Sequence, residues 1–176
     1  KSLDFKKVND NKKKLYAALD LGTNSCRMLI ARPTGSRFEI VDAFSKSIRL
    51  GLDLERTGEL SQAGISRALQ ALHVCAKKLN KFGVRNSRLV ATEACRRSKN
   101  GKSFLSKVKK ETGLTLELIK PEEEARLAVI SCAPLFDPNF SHVLIVDIGG
   151  GSTELVWMDL SEVPKEKRIA EMLKLH

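Results

Sequence analysis

Residues 144–158 read LIVDIGGGSTELVWM: an apolar run meets Asp147, three glycines follow, and Ser152, Thr153 and Glu154 lead into a second apolar run. Apolar runs of that length around a glycine turn predict two paired strands. A tight hairpin needs only one glycine or an Asn-Gly pair. Each further glycine costs backbone entropy, so Gly149, Gly150 and Gly151 together predict a ligand that approaches the backbone closely. Residues 15–31, LYAALDLGTNSCRMLIA, repeat the layout: strand, Asp20, one residue, Gly22, polar turn, strand. A hairpin duplicated at the two ends of the sequence predicts two lobes, each opening on one copy.

The stretch between them alternates strand and helix patterns. CRMLIAR and RFEIVDAFSKSIRL extend the first strand into a three-strand meander across the turn PTGS, and GLDLERTGEL reads as a loop. Ser61 caps SQAGISRALQALHVCAKKLNKFG, where Ile65, Leu69, Leu72, Cys75, Ala76 and Leu79 recur at helical spacing until Gly83. RLVATEA reads as a strand, SFLSKVKKETG as a helix and LTLELI as a strand. PEEEARLAVISCAPLF begins a helix with Pro121 in its first turn and acids where the helix dipole favours them. EKRIAEMLKL predicts a short amphipathic helix with Ile169, Met172, Leu173 and Leu175 on one face. The domain reading is a basic flexible leader at 1–14, a first lobe at 15–138, the opening hairpin of a second lobe at 139–160, and a short helix at 161–176 that packs back on the first lobe.

Composition narrows the partners. The net charge of +10 attracts anions, whether nucleic acid, a membrane surface or a polyanionic substrate. Aromatic residues make up 5% of the chain and do not interleave with the basic runs, so nucleic acid is not the expected partner. No apolar run approaches the roughly 18 residues of a membrane span, and the N-terminus lacks the apolar core of a secretory signal. A cytoplasmic location is expected, with no membrane partner. Cys26, Cys75, Cys95 and Cys132 are far apart and form no C-x-x-C pair, as expected of buried thiols in a reducing compartment.

The chemistry of the two hairpins follows from their parts. Glycine lets backbone N–H groups converge on an anion, as in phosphate-holding nests, and Ser and Thr hydroxyls add donors. A carboxylate at the strand end can hold a hydrated Mg²⁺ against that phosphate, since this ion favours one or two carboxylates plus waters. One clamp comprises Asp20 with Thr23, Asn24 and Ser25; the other comprises Asp147 with Gly149, Gly150, Gly151, Ser152 and Thr153, and Glu154 as a second carboxylate. A plain tight hairpin is the competing reading of either copy alone, and the duplication weighs against it.

The motifs AALDLGTNSCRMLIA, ATEACRR, EEEARL and VDIGGGSTELV together resemble the exopolyphosphatase and guanosine pentaphosphate phosphohydrolase family. The resemblance covers roughly residues 15–158, and RLGLDLERTGELSQAGISRAL is similar to the family's linking stretch. It implies an α/β fold: a ribonuclease H-like lobe of the actin and sugar-kinase ATPase type, with a mixed five-stranded sheet flanked by helices, plus the start of a second similar lobe. It further implies cleavage of the terminal phosphoanhydride of inorganic polyphosphate or guanosine pentaphosphate, with Mg²⁺ or another divalent cation and water, by a protein that is a homodimer in its full-length form. On this resemblance Glu124 is the base, Arg96 contacts the phosphate, and Asp147, Glu154 and Asp20 serve the metal. Glu93 departs from the pattern, adding a carboxylate between Thr92 and Arg96 where related sequences carry small or apolar residues. RRSKNGKSFLSKVKK is the candidate lining of a polyanion channel.

A solvated first-turn acid cluster is the competing reading of the three glutamates, and a solvated helix face that of the lysine run. The family pattern also calls for a longer second lobe after GGGSTELV, so a partial or trimmed chain is expected, with catalysis belonging to the full-length parent. Three rivals remain at this stage. A kinase of the same superfamily needs an adenosine pocket; a polyphosphate or alarmone sensor keeps the loops and is indifferent to Glu124; binding of nucleic acid by charge alone collapses with salt and ignores Mg²⁺.

Overall fold

The computed structural model describes residues 14–35 and 37–174. Most of the basic leader expected at 1–14 therefore lies outside the described residues. Contacts divide the chain into two units, one up to Leu118 and one from Ile119 onward. The sequence reading had placed that boundary at 138. The helix that follows Ile119 takes its buried side chains into the second unit, which accounts for the difference.

In the first unit, strands β1 (Tyr16–Leu21), β2 (Ser25–Thr34) and β3 (Arg37–Ser47) form the expected meander. A short helix α1 (Leu54–Thr57), a long helix α2 (Gln62–Lys81), strand β4 (Asn86–Ala91), helices α3 (Glu93–Arg97) and α4 (Gly101–Thr112) and strand β5 (Glu117–Leu118) follow. The sheet order is β3-β2-β1-β4-β5. β1 pairs antiparallel with β2 and parallel with β4, and β4 pairs parallel with β5. This mixed five-stranded sheet flanked by helices is the arrangement expected of a ribonuclease H-like lobe.

Alternation places the core. Ala17, Leu19 and Leu21 of β1 and Cys26, Met28 and Ile30 of β2 point to one face, where they are buried. Helix α2 meets them with Ile65, Ala68, Leu69, Leu72, Cys75 and Leu79, and α4 with Phe104 and Val108. Burying each such large aliphatic side chain stabilises the fold by about 1.5–3 kcal/mol. Ser61 caps α2 as expected, its hydroxyl accepting from the Gly64 N–H at 3.1 Å. The opposite sheet face is more open, with Tyr16, Phe38 and Ile40 exposed.

Three local expectations change. GLDLERTGEL is not wholly a loop, because α1 forms within it and buries Leu54. The strand in RLVATEA stops at Ala91: the Thr92 N–H reaches the Leu21 carbonyl at 3.2 Å, and the chain turns there into α3. LTLELI shrinks to the two-residue β5, since it pairs only with Val90 and Ala91.

The second unit contains α5 (Pro121–Cys132), a 3₁₀ turn at Ala133–Leu135, the hairpin β6 (His142–Ile148) and β7 (Thr153–Asp159), a 3₁₀ turn at Lys165–Lys167 and α6 (Arg168–Met172). Its core is Val129, Ala133, Ile145, Leu160 and Met172. The terminal helix has five residues; Met172 fills the core of its own unit and Leu173 is exposed, while Leu175 of the expected apolar face lies outside the described residues. Buried Arg168 fastens the unit together. Its Nε donates to the Leu160 carbonyl at 3.1 Å and the Val163 carbonyl at 2.9 Å, and its Nη1 to the Pro138 and Phe140 carbonyls at 2.9 Å each.

Candidate functional site

The two aspartate–glycine hairpins close in the same way. In the first, the Gly22 N–H donates to the Ser25 carbonyl at 2.9 Å; in the second, the Gly149 N–H donates to the Ser152 carbonyl at 2.9 Å. The sequence layout D-x-G-x-x-S thus becomes one repeated backbone shape. Between the closing residues, the N–H groups of Thr23 and Asn24, and those of Gly150 and Gly151, donate no hydrogen bond among the described residues. Adjacent open N–H groups in a tight turn are the arrangement that receives an anion. Among the described residues the glycines recorded with a left-handed φ are Gly35, Gly58, Gly83 and Gly113. Gly149, Gly150 and Gly151 are not among them, so what these three supply is a backbone without Cβ atoms rather than an unusual φ.

The first loop is built against its neighbours. The Asn24 carbonyl accepts from the N–H groups of Ile48 at 2.8 Å and Arg49 at 3.0 Å, and the Thr23 carbonyl accepts from Gly51 at 3.0 Å. A Cβ on Gly51 would overlap Thr23 Cγ2 and lie 3.8 Å from the Ala94 Cβ. Gly51 therefore lets the turn after β3 slide between the loop and α3. Sequence reading assigned no role to Gly51, because its partners are distant in the chain and nothing in the local pattern marks them. Since β1 and β4 are parallel and Leu21 pairs with Ala91, the loop and α3 leave the same end of the sheet. Ligands of open α/β sheets bind at that carboxyl end.

Arg96 stands on α3 with its guanidinium already engaged. Glu93 Oε2 accepts from Arg96 Nε at 3.1 Å and also from Nη2, and Glu93 Oε1 lies 3.5 Å from Arg97 Nε. The Arg96 and Glu93 side chains are only 18% and 15% exposed, so this pair is better shielded than a surface salt bridge. A phosphate arriving at Arg96 must share the guanidinium with Glu93 or displace it.

In the second unit, Asp147 and Glu154 are directly opposed across the β6–β7 hairpin. Like charges directly opposite one another are destabilising, and a divalent cation relieves that. In the first hairpin the matching pair is Asp20 opposite Arg27, which sums to no net charge. Among the described residues no group of three or more His, Cys, Asp or Glu side chains gathers as a metal cage. Asp147 and Glu154 nonetheless fit an ion that takes one or two carboxylates and fills its remaining positions with water and phosphate oxygens.

Of the three first-turn acids of α5, Glu123 is committed to structure. Arg126 grips it bidentately, Nε at 2.6 Å and Nη2 at 2.9 Å. Glu122 is exposed; Glu124 is half-buried, and its N–H donates to the Lys120 carbonyl at 3.0 Å. The structure thus separates the predicted residues into two groups. Asp20, Thr23, Asn24, Ser25 and Arg96 belong to the first unit, and Glu124, Asp147, Gly149, Gly150, Gly151, Ser152, Thr153 and Glu154 to the second.

The cysteines take no part in either group. Cys26, Cys75 and Cys95 are buried, and burial pushes the Cys95 thiol up to about 12. A hydrogen bond to Cys75, followed by burial, raises the Cys26 thiol as well. On α4, Phe104 and Val108 face inward while Lys102, Lys107, Lys109 and Lys110 are exposed, so the basic run forms a cationic ridge. No described helix is long and apolar enough to cross a membrane.

Residues 29–168 match the sequence model of the Ppx/GppA phosphatase family. The chain belongs to that family. Among solved structures it is similar to the PPX-GPPA enzyme of Aquifex aeolicus, with 37% identity over 84% of this chain and 49% of that one, at a TM-score of 0.74. An exopolyphosphatase-like protein is 30% identical over 86% of this chain and 47% of its own, at a TM-score of 0.77. An exopolyphosphatase from Cytophaga hutchinsonii shares the fold at 23% identity, covering 93% of this chain and 55% of that one with a TM-score of 0.78. The chain spans about half the length of these Ppx/GppA relatives.

Proposed function

We propose that this chain contributes the phosphate-binding hairpins and the catalytic base of a phosphoanhydride hydrolase, which releases terminal orthophosphate from inorganic polyphosphate or guanosine pentaphosphate. The observation that carries the reading is the repeated hairpin, with matching 2.9 Å closures at Gly22–Ser25 and Gly149–Ser152 and open N–H groups between them. Open N–H groups of Gly150 and Gly151, with the Ser152 and Thr153 hydroxyls, would hold the terminal phosphate; Thr23, Asn24 and Ser25 would form a second phosphate clamp in the first unit. Glu124 takes the proton of an attacking water. The water oxygen bonds to the terminal phosphorus as the bridging P–O bond breaks in line, and the shortened chain departs with the bridging oxygen. The Arg96 guanidinium offsets charge on the transferred group. A divalent cation beside Asp147 and Glu154 would supply further charge neutralisation on the phosphate oxygens. Because phosphoryl transfer asks mainly for positioning and electrostatics, the scheme needs no protein nucleophile. The lysine ridge of α4 would draw the polyanion in.

The test is phosphate release from long-chain polyphosphate with Mg²⁺, comparing the full-length parent protein with its Glu124→Gln variant. Loss of roughly 10²–10⁴-fold in kcat with polyphosphate binding retained is the expected result for a general base. A parent that binds polyphosphate and releases nothing would transfer the assignment to a sensor.

A further inference from the structure

Arg67 lies on α2, outside both groups of predicted residues, and its guanidinium spans two successive carbonyls. Nε donates to the Ile48 carbonyl at 2.7 Å and Nη2 to the Arg49 carbonyl at 3.1 Å. The same two residues turn their N–H groups to the Asn24 carbonyl, at 2.8 Å and 3.0 Å, and Gly51 turns its own to the Thr23 carbonyl at 3.0 Å. The turn at 48–51 is thus clasped from one side by Arg67 and clasps the first hairpin loop on the other. Arg49 holds a left-handed φ of 45°, a conformation that a side-chain-bearing residue keeps only where its surroundings fix it. Among the described residues no carboxylate is recorded in an ion pair with Arg67, whose guanidinium is given to the two carbonyls.

We propose that Arg67 is a positioning residue for the first phosphate loop, acting through the 48–51 turn to hold the Thr23 and Asn24 carbonyls and so keep the open N–H of Asn24, which shares its peptide plane with the Thr23 carbonyl, turned toward the phosphate. The proposal rests on the phosphate reading of that loop. Two donors in a fixed fork suit two consecutive carbonyls, and a lysine at this place offers only a flexible point charge. The loop binds and does not react, so loosening it weakens substrate binding more than turnover.

The experiment compares the full-length parent with its Arg67→Ala and Arg67→Lys variants in steady-state polyphosphate hydrolysis, alongside hydrogen exchange at the Ile48, Arg49 and Gly51 amides. Expected are a KM roughly tenfold higher for Arg67→Ala with kcat nearly kept, an intermediate value for Arg67→Lys, and faster exchange at those three amides. If Arg67→Ala fails to fold, Gly51→Ala presses on the same loop from the turn, since its Cβ would overlap Thr23 Cγ2, and should give the same KM split. Faster exchange with an unchanged KM in an active parent reduces Arg67 to a structural residue and overturns the proposal. Unchanged exchange overturns it as well. A parent that neither binds nor cleaves polyphosphate removes the functional reading and this inference with it, whereas the two preceding outcomes leave the functional reading standing.

Discussion

Glu93 places a carboxylate between Arg96 and Arg97, and both its own side chain and that of Arg96 are largely shielded. Shielding strengthens the attraction between the charges and also any repulsion toward an incoming phosphate. Under the proposed function, this single residue would set how strongly α3 attracts a phosphate. Replacing Glu93 by Gln keeps a hydrogen-bond acceptor of the same size and removes the charge. The expected outcome is tighter binding of polyphosphate, with KM falling several-fold for about 1 kcal/mol of relieved repulsion. Steady-state kinetics of the parent protein at two salt concentrations check it: the gain should shrink at high salt. A raised KM would instead make Glu93 the residue that orients Arg96. A second residue-scale effect is electrostatic support of the sheet. Lys78 meets Asp42 at 2.6 Å, and this hydrogen bond holds the carboxyl below its ordinary value of 3.8. A depressed folded-state value means that the contribution is present above the unfolded value and lost as pH falls through the folded one.

Elements were legible where their signal is local. The layout Asp, one residue, Gly, two residues, Ser sits within a few positions of sequence, and both hairpins and their closures follow from it. Helix α2 was legible because its apolar spacing and its Ser61 cap are likewise local. The strand end at Ala91 was not, because Thr92 turns on a bond to Leu21, far back in the sequence. For the same reason the contact between Gly51 and Thr23, and the grip of Arg67 on Ile48 and Arg49, left no trace in the sequence pattern. Gly101 shows what such distant packing demands of one element. Its missing Cβ is what lets α4 begin against the end of α3, since an added carbon would overlap the Cys95 carbonyl oxygen and come within 2.8 Å of Ser98 Oγ. That overlap is with backbone, which cannot swing aside as a side chain would. Gly101→Ala should therefore destabilise the first unit by about 1–3 kcal/mol, as overpacking does. The loss should appear as a lower urea midpoint at unchanged slope. Because α3 carries Arg96, the surviving folded fraction should also bind phosphate less well. An Ala variant with an unchanged midpoint would mean that α4 moves away from α3 at no cost.

At the scale of the whole molecule, each unit rests on a core of its own. The first is large and layered, running from Leu19 and Leu21 through Ile30 to Leu72 and Val108. The second is small, five buried apolar residues around Ile145 and Met172, and it carries Glu124, Asp147 and the three-glycine loop. So small a core gives modest stability, and polar fastening matters correspondingly more. Arg168 supplies that fastening, joining the carbonyls of Pro138, Phe140, Leu160 and Val163, which flank the hairpin on both sides. Arg168→Met retains much of the buried volume and removes every donor. The Leu160 carbonyl keeps the Val163 N–H at 3.1 Å, while those of Pro138, Phe140 and Val163 lose the Arg168 donor; such losses cost about 1–3 kcal/mol where water cannot reach the carbonyl, so a loss of roughly 3 kcal/mol confined to the second unit is expected. Hydrogen exchange separates the units: amides of Ile145 and Val156 should exchange far faster in the variant, while those of Leu19 and Met28 keep their protection. If all four lose protection together, the units unfold as one cooperative block and the stability of Glu124 and the glycine loop is set by the whole chain. If only the second pair does, the hydrolytic half of the proposed site can open locally while the first hairpin remains folded.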